Sequence, residues 1–457
     1  MSERHSIHCP ARDIPVRAEV DVLVVGGGPA GLMAAEAAAG DGLRVMLVES
    51  RGFLGGNLTI GLPILGFLGH KGNQIIEGQP QRFIDRLQAR GAASEHRPCA
   101  LHMSLTIIDP EEVKRTAFEI MEEKGVEVLL YAFCADVVKE GDDVKGIIIE
   151  SKAGREAILA KTVIDCTGDG DVAFRAGVEC RKGDANGGMQ PPTLMFCMKG
   201  VDVQRLRDAI VAQPDVYDMD TMPAEQFRTG KFITVGLRNQ IEQARAAGIA
   251  IPVARTILIT GLADDEIWVN MTRVNGVDST LPESYTCGEI EGRKQVYDVA
   301  RYLREFVPGF ADARIEKIAP FMGIRESRVI VGRYILTDKD ILEERRFDDA
   351  IAVAGYPVDI HHAEGGDCTL YWCDDCYDIP YRTLVPAAAG NLLVAGRCSS
   401  MNHEAMASTR VMSTCMALGE AAGRAARLAL KAGVQPADLD VETLRAELRA
   451  TGAYLRD

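Results

Sequence analysis

The chain has 457 residues, a length that favours two domains over a single hydrophobic core. Its apolar fraction of 47% and charged fraction of 26% are those of an ordinary globular protein, and its formal net charge of −15 argues against nucleic acid or an anionic membrane surface as a partner. The N-terminal segment MSERHSIHCPARDIPVR has no apolar core, and no apolar run is long enough to span a bilayer, so we expect a cytoplasmic protein.

A strand–helix–strand unit follows the polar N-terminal arm. The segment DVLVVGGGPAGLMAAEAAAGDGLRVMLVES is typical of a buried Val-rich strand, a glycine turn, an Ala-rich helix and a second strand, which predicts a parallel sheet. A later helix is expected to have Asp109 as its N-cap, Pro110 as its first residue and Gly125 as its stop signal. The segment DVKGIIIESKAGREAILAKTVIDCTGDGD predicts a hairpin and then a strand that ends in a polar glycine turn.

The chain is expected to form a discontinuous nucleotide-binding domain with a second domain inserted in its middle. After an arm over 1–17, the Rossmann-like α/β domain with a central parallel sheet covers 18–188 and returns over 346–432. The inserted α+β substrate domain, with an antiparallel sheet, covers 189–345, where segments such as RTILITGLADDEIWVN alternate in strand fashion. Residues 433–457 form a C-terminal helical tail.

The first turn carries a dinucleotide-binding motif. Gly26, Gly28 and Gly31 form G-x-G-x-x-G between a strand and a helix, where they allow a tight turn, close approach of a pyrophosphate and packing of the helix on the strand. The helix N-terminus offers free N–H groups to the phosphates. Glu49 ends the second strand at about the spacing of 20 residues at which an acid binds ribose hydroxyls.

Further glycine segments distinguish this chain from a simple NAD-binding unit. RGFLGGNLT follows Glu49 at once, and DCTGDGDVAFRAG and NLLVAGRCSSMNHEAMASTRVMSTCMALGEAAG come much later. With these motifs the chain resembles the FAD-dependent oxidoreductases of the glutathione-reductase type, and more narrowly the bacterial FAD-dependent oxidoreductase family related to fumarate-reductase flavoproteins. The resemblance covers most of residues 18–430 and is strongest at the two ends.

The resemblance implies bound FAD, which we expect to be held non-covalently. Its adenosine end lies on the glycine turn and Glu49, and Cys134, at the end of its strand, touches the adenine through its backbone. The last helix should begin near Met412 and direct its N-terminus at the flavin. Arg397 departs from the commonest family pattern and could pair with a phosphate. The implied cofactor-binding residues are Gly26, Gly28, Pro29, Ala30, Gly31, Glu49, Ser50, Arg51, Gly55, Gly56, Asn57, Cys134, Thr167, Gly168, Asp169, Gly396, Arg397, Arg410, Val411 and Met412.

Two absences from the sequence indicate what the flavin does. The loop after Glu49 has no Cys pair, where disulfide reductases of this superfamily carry their redox cysteines, and no second G-x-G-x-x-G opens another βαβ unit. We therefore predict hydride transfer between flavin N5 and a small organic substrate, at a C–H, C=C or CH–OH group. Neither the substrate nor the electron acceptor is identified by the sequence.

Arg325 is the predicted anchor for the substrate. GIRESR places Arg325 and Arg328 at the expected end of a substrate-domain strand, and the resemblance implies that this motif returns towards the flavin. An Arg is a proton shuttle in fumarate-reductase relatives, but its high pKa favours a bidentate anchor for a carboxylate or carbonyl. An ion pair with Glu326 or Asp338 is the structural alternative.

Histidine is the expected acid–base residue. DIHHAEGGD supplies His361 and His362, which point to opposite faces if the segment is extended, and SMNHEAM supplies His403. We place His403 first, because it lies just before the flavin-facing helix, and His362 second.

The loop YWCDDCYDIPYR is expected to cross the seam where the substrate lies. It precedes the return of the chain to the nucleotide-binding domain. We predict that Tyr371, Trp372, Tyr381 and Arg382 line the substrate site, with Tyr381 and Arg382 near the flavin ring.

The Cys-x-x-Cys of the same loop has three interpretations. Zinc needs four ligands, and Cys368 with one His could complete a set, but no second pair exists, so we predict no metal site. A dithiol that exchanges electrons with the flavin is the second interpretation, although Asp374 and Asp375 would raise the pKa of Cys373 and Cys376. We favour unreactive thiols, as for the other cysteines, which lie in apolar segments typical of buried free thiols.

Other functional classes are weighed against the flavoenzyme. An electron-transfer subunit that resembles the flavin component of heterodisulfide reductase would need an iron–sulfur partner or the Cys-x-x-Cys, and no ferredoxin-like Cys run is present. A flavin-binding structural protein or a tRNA-modifying flavoprotein fits less well, the second because the chain is acidic. A homodimer is expected from the family.

Overall fold

A computed structural model describes residues 7–8, 10–99, 101–218 and 224–456, so part of the predicted N-terminal arm, including Cys9, lies outside the described residues. The described strands are β1 Val16–Val25, β2 Val45–Val48, β3 Ile64–Leu65, β4 Arg97–Cys99, β5 Met103–Thr106, β6 Glu127–Leu129, β7 Phe133–Glu140, β8 Asp143–Ser151, β9 Gly154–Asp165, β10 Cys180–Lys182, β11 Phe196–Lys199, β12 Ile233–Gly236, β13 Thr256–Thr260, β14 Glu266–Val269, β15 Arg314–Ile318, β16 Arg328–Ile330, β17 Ala350–Ala354, β18 Val358–His361, β19 Cys368–Tyr371, β20 Tyr377–Pro380 and β21 Leu392–Val394. The described α-helices are α1 Pro29–Ala38, α2 Gln79–Gln88, α3 Pro110–Glu123, α4 Asp171–Arg175, α5 Val203–Ala212, α6 Arg238–Ala246, α7 Pro282–Phe306, α8 Asp338–Leu342, α9 His403–Thr409, α10 Met412–Ala432 and α11 Val441–Ala450.

The first sheet is built around β1, whose valines from Val20 onward are buried on both faces. β1 pairs in parallel with β2 on one side and β9 on the other; β6 extends the sheet beyond β2, and β21 pairs in parallel with the last part of β9. The hairpin of β7 and β8 joins the first part of β9 antiparallel. The carboxyl ends of the parallel strands therefore share one edge, where a doubly wound fold binds its ligand. The predicted α/β fold with a central parallel sheet is confirmed.

Helix α10 packs directly on α1 through two glycines. A Cβ atom on Gly419 would lie 2.1 Å from the carbonyl oxygen of Ala30, and one on Gly423 would lie 2.2 Å from that of Ala34. Only glycine allows the two helices to come this close. The contact joins the end of the chain to its first helix and brings the N-terminus of α10 to the edge described above.

The second sheet is antiparallel and has the order β12-β13-β14-β11-β15. Its strands lie between residues 196 and 318, inside the range predicted for the substrate domain, although the exact domain boundaries stay a prediction. Helix α7 lies in the same part of the chain and buries a stripe that includes Val296, Val299 and Leu303 at helical spacing. Both the antiparallel strands and the polar helix follow the sequence prediction.

Four smaller sheets contain the remaining described strands. β3, β4 and β5 form one, and the pairs β10–β16, β17–β20 and β18–β19 form three others.

The predicted hairpin and following strand in 143–165 prove to be β8 and one long β9, which pairs first with β8 and then with β1 and β21. The Asp109 cap is confirmed, since its Oδ1 accepts hydrogen bonds from the N–H groups of Glu111 and Glu112. Within the described ranges, none of the helices combines the length and apolar character needed to cross a bilayer.

Candidate cofactor and substrate site

The turn after β1 gives each glycine of the motif a different environment. Gly26 has a φ of +100°, in the region that favours glycine. A Cβ atom on Gly31 would lie 1.7 Å from the carbonyl oxygen of Gly26, whereas one on Gly28 would meet nothing within 4 Å. Pro29 and Ala30 begin α1, so the open space beside Gly28 lies at a helix N-terminus, where a pyrophosphate fits.

The carboxylate of Glu49 is fixed beside this turn. Its Oε2 accepts a hydrogen bond from the backbone N–H of Gly27 at 2.7 Å, and its Oε1 accepts from the N–H of Arg51 at 2.8 Å and from Ser50 Oγ at 3.0 Å. The Arg51 guanidinium lies over the ring of Phe321, 3.8 Å from its centre. The predicted ribose-binding acid is therefore held next to the predicted phosphate site.

The segment after Glu49 lies against the same turn. The N–H of Gly55, which has a φ of +114°, donates to the carbonyl of Gly27 at 2.8 Å. A Cβ atom on Gly56 would lie 2.8 Å from the Cα atom of Gly28, so only glycine lets the two chain segments touch here. Asn57 follows and lines the neighbouring cleft.

A buried carboxylate organises the turn after β9. Asp165 Oδ1 accepts from the N–H of Thr167 at 3.0 Å and from its hydroxyl at 2.7 Å, and Oδ2 accepts from the N–H groups of Val172 and Ala173, both at 2.9 Å. Burial raises the pKa of Asp165. This network fixes residues 167–169 at the carboxyl edge of the sheet.

Arg397 is paired with a carboxylate. Its Nη2 lies 2.7 Å from Asp169 Oδ1, and its Nη1 donates to Ser327 Oγ at 2.8 Å. Burial raises and Arg397 lowers the pKa of Asp169, and the net direction is downward. Gly168 packs below this pair and Gly396, with a φ of +97°, precedes it. Asp169 therefore neutralises the positive charge of Arg397, which we had predicted would pair with a phosphate.

Cys134 occupies a different place in its strand from the one predicted. It is the second residue of β7, not the end of a strand, and its thiol faces the carbonyl oxygen of Asp136 at 3.7 Å. Burial raises the pKa of this thiol to about 12. The nearby Ala132 N–H donates to the carbonyl of Glu49 at 3.2 Å, which keeps this backbone close to the predicted adenosine end. The contact of Cys134 with adenine stays a prediction.

Helix α10 adds an open N-terminus to the edge. It starts at Met412, as predicted, and its N-cap Val411 has no side-chain hydrogen bond that would satisfy the first N–H groups. These groups and their dipole suit the electron-rich edge of a flavin. Together with the open glycine turn and the acid predicted to bind ribose, they fit FAD.

A cleft of about 1020 Å³, which includes space open to solvent, continues from these residues into the second domain. It shares Asn57, Arg397, Arg410, Val411 and Met412 with the predicted cofactor set. Its other described lining residues are Ile60, Leu62, Pro63, Leu65, His102, Thr193, Met195, Ile233, Val235, Arg255, Ile257, Ile259, Asn270, Gly323, Ile324, Arg325, Tyr356, Asp359 and His361.

Arg325 lines this cleft and has no carboxylate partner among the described residues. Its Nη1 donates to the carbonyl of Pro191 and to Thr193 Oγ1, both at 2.6 Å, and its Nη2 lies 3.5 Å from Asn270 Oδ1. It lies in the loop after β15, not at the end of a strand as predicted. Burial, with repulsion from Arg410, lowers the pKa of Arg325 to about 9. The predicted alternative of an ion pair with Glu326 or Asp338 does not occur in the structure.

His361, rather than His362, faces the cleft. His361 Nε2 lies 3.2 Å from Asp359 Oδ2, and Arg410 donates to the backbone oxygen of Asp359 at 3.0 Å. Burial, with the charge of Arg325, lowers the pKa of His361 to about 3, so its imidazole is neutral at pH 7. Burial raises the pKa of Asp359, but His361 and Arg410 lower it, and the net direction is downward.

The other predicted catalytic residues lie outside the described lining of the cleft. His362 is exposed, with Nε2 2.9 Å from Thr369 Oγ1. His403 Nδ1 lies 2.8 Å from Glu326 Oε1. The buried Tyr381 donates to the carbonyl of Pro436 at 2.8 Å, and the exposed Arg382 pairs with Asp349 at 2.8 Å. Each of these side chains has a structural partner of its own.

The loop with Cys373 and Cys376 does not reach the cleft either, since Tyr371 and Trp372 are also absent from its described lining. Both cysteines are buried, and burial raises the pKa of each, to about 12 for Cys373. The eleven described cysteines are free thiols. Among the residues that the structure describes, no group of His, Cys, Asp or Glu could hold a metal ion.

Several cleft residues escaped sequence reasoning. Arg255, His102 and the neighbouring residues Tyr356 and Asp359 come from three separate segments, and no motif connects these segments. Asp359 had the one available signal, because it lies two residues before His361 on the same strand and therefore faces the same side.

A profile of the family described as "FAD dependent oxidoreductase" matches residues 21–448, nearly the whole chain. The chain belongs to the FAD-dependent oxidoreductase family. It is accordingly an FAD-dependent enzyme, and FAD is its cofactor.

Similarity of this FAD-dependent oxidoreductase to curated proteins is confined to part of the chain. The thiamine thiazole synthase of Aeropyrum pernix is 30% identical over 167 residues, which cover 34% of this chain and 57% of that protein. The enzyme of the same name from Methanococcus vannielii is 30% identical over 158 residues, or 33% of this chain and 56% of that protein. The chain thus spans little more than half the length of these relatives.

Two solved structures are similar over most of the oxidoreductase. A geranylgeranyl bacteriochlorophyll reductase-like protein from Thermoplasma acidophilum has a TM-score of 0.49 and 12% identity, over 95% of this chain and 84% of that chain. A flavoprotein/dehydrogenase from Cytophaga hutchinsonii has a TM-score of 0.49 and 14% identity, over 94% of this chain and 82% of that chain.

Proposed function

We propose that this oxidoreductase transfers hydride between its flavin and a small organic substrate that binds in the cleft. The supporting observation is that one cleft is lined both by predicted cofactor residues, Asn57, Val411 and Met412 among them, and by the substrate-domain residues Arg325 and Asn270. A substrate in this space would touch both domains. Bound FAD supplies the hydride donor or acceptor. The cofactor residues named from the sequence are part of this proposal.

Arg325 orients the substrate in this proposal. Its guanidinium is held by neutral oxygens of Pro191 and Thr193, which fix its position without neutralising its charge. A carboxylate or carbonyl oxygen of the substrate would receive charge-assisted hydrogen bonds from it. This supports the anchoring role predicted for Arg325 over a proton shuttle.

His361 takes the proton-handling role in place of His403 and His362. With the N–H of Nε2 directed at Asp359, the neutral imidazole keeps a lone pair on Nδ1 and can accept a proton as hydride leaves the substrate. Asp359 would stabilise the resulting imidazolium and is itself held by Arg410. In the reverse direction the same pair would donate the proton.

The electron-transfer alternative gains no support from the two thiols of the Cys-x-x-Cys loop. Cys373 and Cys376 are buried outside the described lining of the cleft, and burial raises the pKa of both. Three expectations from the sequence stay predictions, namely non-covalent attachment of FAD, a homodimer and a cytoplasmic location. The electron acceptor is not identified.

Anaerobic spectroscopy tests the proposed function. The purified protein is expected to show a flavin spectrum, to release FAD on denaturation, and to be bleached by at least one member of a panel of small organic reductants. A companion His361→Gln preparation should bind FAD equally but bleach far more slowly. A wild-type protein that binds FAD yet exchanges electrons only with an iron–sulfur protein would overturn the proposal in favour of the alternative.

A further inference from the structure

The cleft has a cationic end and an apolar end. Arg325 and Arg255 lie at the first, and both also line a smaller adjoining cavity of about 350 Å³. The paired strands β12 and β13 form the second. Ile257 of this apolar face also lines the smaller cavity, so the charged and apolar surfaces adjoin, and this arrangement restricts the class of substrate that the cleft can accept.

The cationic end lacks internal counter-ions. Among the described residues, neither Arg325 nor Arg255 has a carboxylate oxygen within 4.0 Å. Arg255 instead donates to Cys368 Sγ at 2.8 Å, and Asp359 is already engaged by His361 and Arg410. A partly buried cation without a counter-ion is costly, and an anion placed between two such groups removes much of that cost.

The pKa of Arg325 is consistent with this lack of counter-ions. Burial and the positive charge of Arg410 lower it to about 9, and an incoming carboxylate would oppose both effects. A planar carboxylate can also accept two parallel hydrogen bonds from a guanidinium, which a hydroxyl or an amide cannot do as well.

The apolar end is a continuous patch of aliphatic side chains. Ile233 is registered opposite Ile259, and Val235 opposite Ile257. Residues two apart on a strand point to the same face, so these four side chains form one surface, and all four line the cleft. Met195 adds to it. This surface can bury a hydrocarbon chain or ring.

We propose that the substrate is a carboxylic acid with an apolar body, whose carboxylate binds Arg325 and Arg255 and whose hydrocarbon part lies against the β12–β13 face. This inference rests on the proposed function, because it identifies the substrate class of the same cleft. Each additional methylene that enters the apolar end should tighten binding by about fourfold.

Ligand titration of the FAD-loaded enzyme tests this without turnover. Hexanoate, octanoate and decanoate are added while the flavin spectrum is recorded, with octanamide and octanol as uncharged probes of the same length. Carboxylates are expected to perturb the spectrum with affinity rising along the series, and octanamide to bind at least tenfold more weakly than octanoate.

Variants locate the binding mode. Arg325→Met should weaken octanoate binding about 100-fold, because it removes one partner of a buried charge pair, and should leave octanamide binding within about threefold. Arg255→Met gives a second, independent test with a smaller loss in the same direction. Arg301→Met, on an exposed arginine paired with Glu305 on α7, is the matched control and should bind octanoate as wild type does.

The outcomes are distinct. Equal binding of octanamide and octanoate, or unchanged octanoate binding in both folded arginine variants, would overturn the carboxylate assignment. An affinity independent of chain length would overturn the apolar assignment. If none of the carboxylates perturbs a flavin that other organic substrates do reduce, this inference fails and the proposed function stands. A preparation without FAD would refute the proposed function itself, and this inference with it.

Discussion

The carbonyl oxygen of Gly26 fills the space that a side chain on Gly31 would need. The Cβ atom of any other residue at Gly31 would lie 1.7 Å from this oxygen, so the turn and α1 can meet only at a glycine. Gly28, between them, has the opposite environment, with nothing within 4 Å of a Cβ atom and a φ of −77° that alanine adopts freely. Two glycines of one motif thus serve packing and ligand approach separately.

Alanine substitutions should separate these two roles. Gly31→Ala is expected to destabilise the protein by about 4 kcal/mol or more, because backbone must move to remove the overlap. Gly28→Ala should leave the melting temperature of the FAD-free protein nearly unchanged but lower FAD content at least tenfold, because the new methyl group occupies the pyrophosphate space. FAD content per protein and melting of the FAD-free forms are measured. Full FAD binding by Gly28→Ala would contradict the proposed placement of the pyrophosphate.

A comparison of two histidine variants tests the proton-handling assignment. His361→Gln should lower kcat by about 100-fold or more, with an unchanged FAD spectrum, because a general base typically contributes 10²–10⁴-fold. His403→Gln should keep kcat within about threefold, since the partner of this side chain is Glu326 and not a cleft residue. Steady-state kinetics with a substrate that bleaches the flavin provide the measurement. The reverse ranking of the two variants would restore His403 as the catalytic candidate.

Local signals in the sequence were sufficient to predict the elements that meet at the carboxyl edge of the first sheet. The strand, glycine turn, helix and Glu49 are consecutive, so their relative positions follow from local geometry, and the start of α10 at Met412 was equally local. The residues of the cleft were harder to predict from the sequence, because Arg255, Asp359 and Arg325 are brought together only by the packing of the inserted domain on the first. His403 was chosen for its closeness in sequence to α10, but its side chain contacts Glu326 and is absent from the described lining of the cleft, so its catalytic role stays a prediction.

The choice between His361 and His362 depended on where a strand ends. Alternation allowed at most one of the two side chains to face the flavin, but the sequence did not show which one. β18 ends at His361, paired with Cys368, and leaves His362 in the exposed turn. Likewise, the aromatic residues of the Cys-x-x-Cys loop gave no indication that the loop packs away from the cleft.

Removal of both thiols of this loop should not affect catalysis. The double variant Cys373→Ser/Cys376→Ser is expected to keep FAD and to retain kcat within about twofold, because burial raises the pKa of both thiols and neither lines the described cleft. It should lose some stability, since two buried sulfurs are replaced by more polar hydroxyls. Kinetics and thermal melting of the same preparation are compared with wild type. Loss of turnover with FAD still bound would revive the dithiol interpretation.

The pair of His403 and Glu326 should make stability depend on pH above the ordinary histidine range. Burial lowers the pKa of His403. The hydrogen bond and the charge of Glu326 raise this pKa by more than burial lowers it, so the net direction is upward. A raised pKa in the folded state stabilises the protein fully below the unfolded value of 6.5, and this contribution is lost as the pH rises through the folded value. Wild type should therefore lose stability relative to His403→Gln as the pH rises from 6.5, as measured by urea unfolding at several pH values. His362→Gln, which lies outside the pair, is the control and should follow the wild-type curve. Parallel curves for wild type and His403→Gln would contradict a charged His403 in the folded protein.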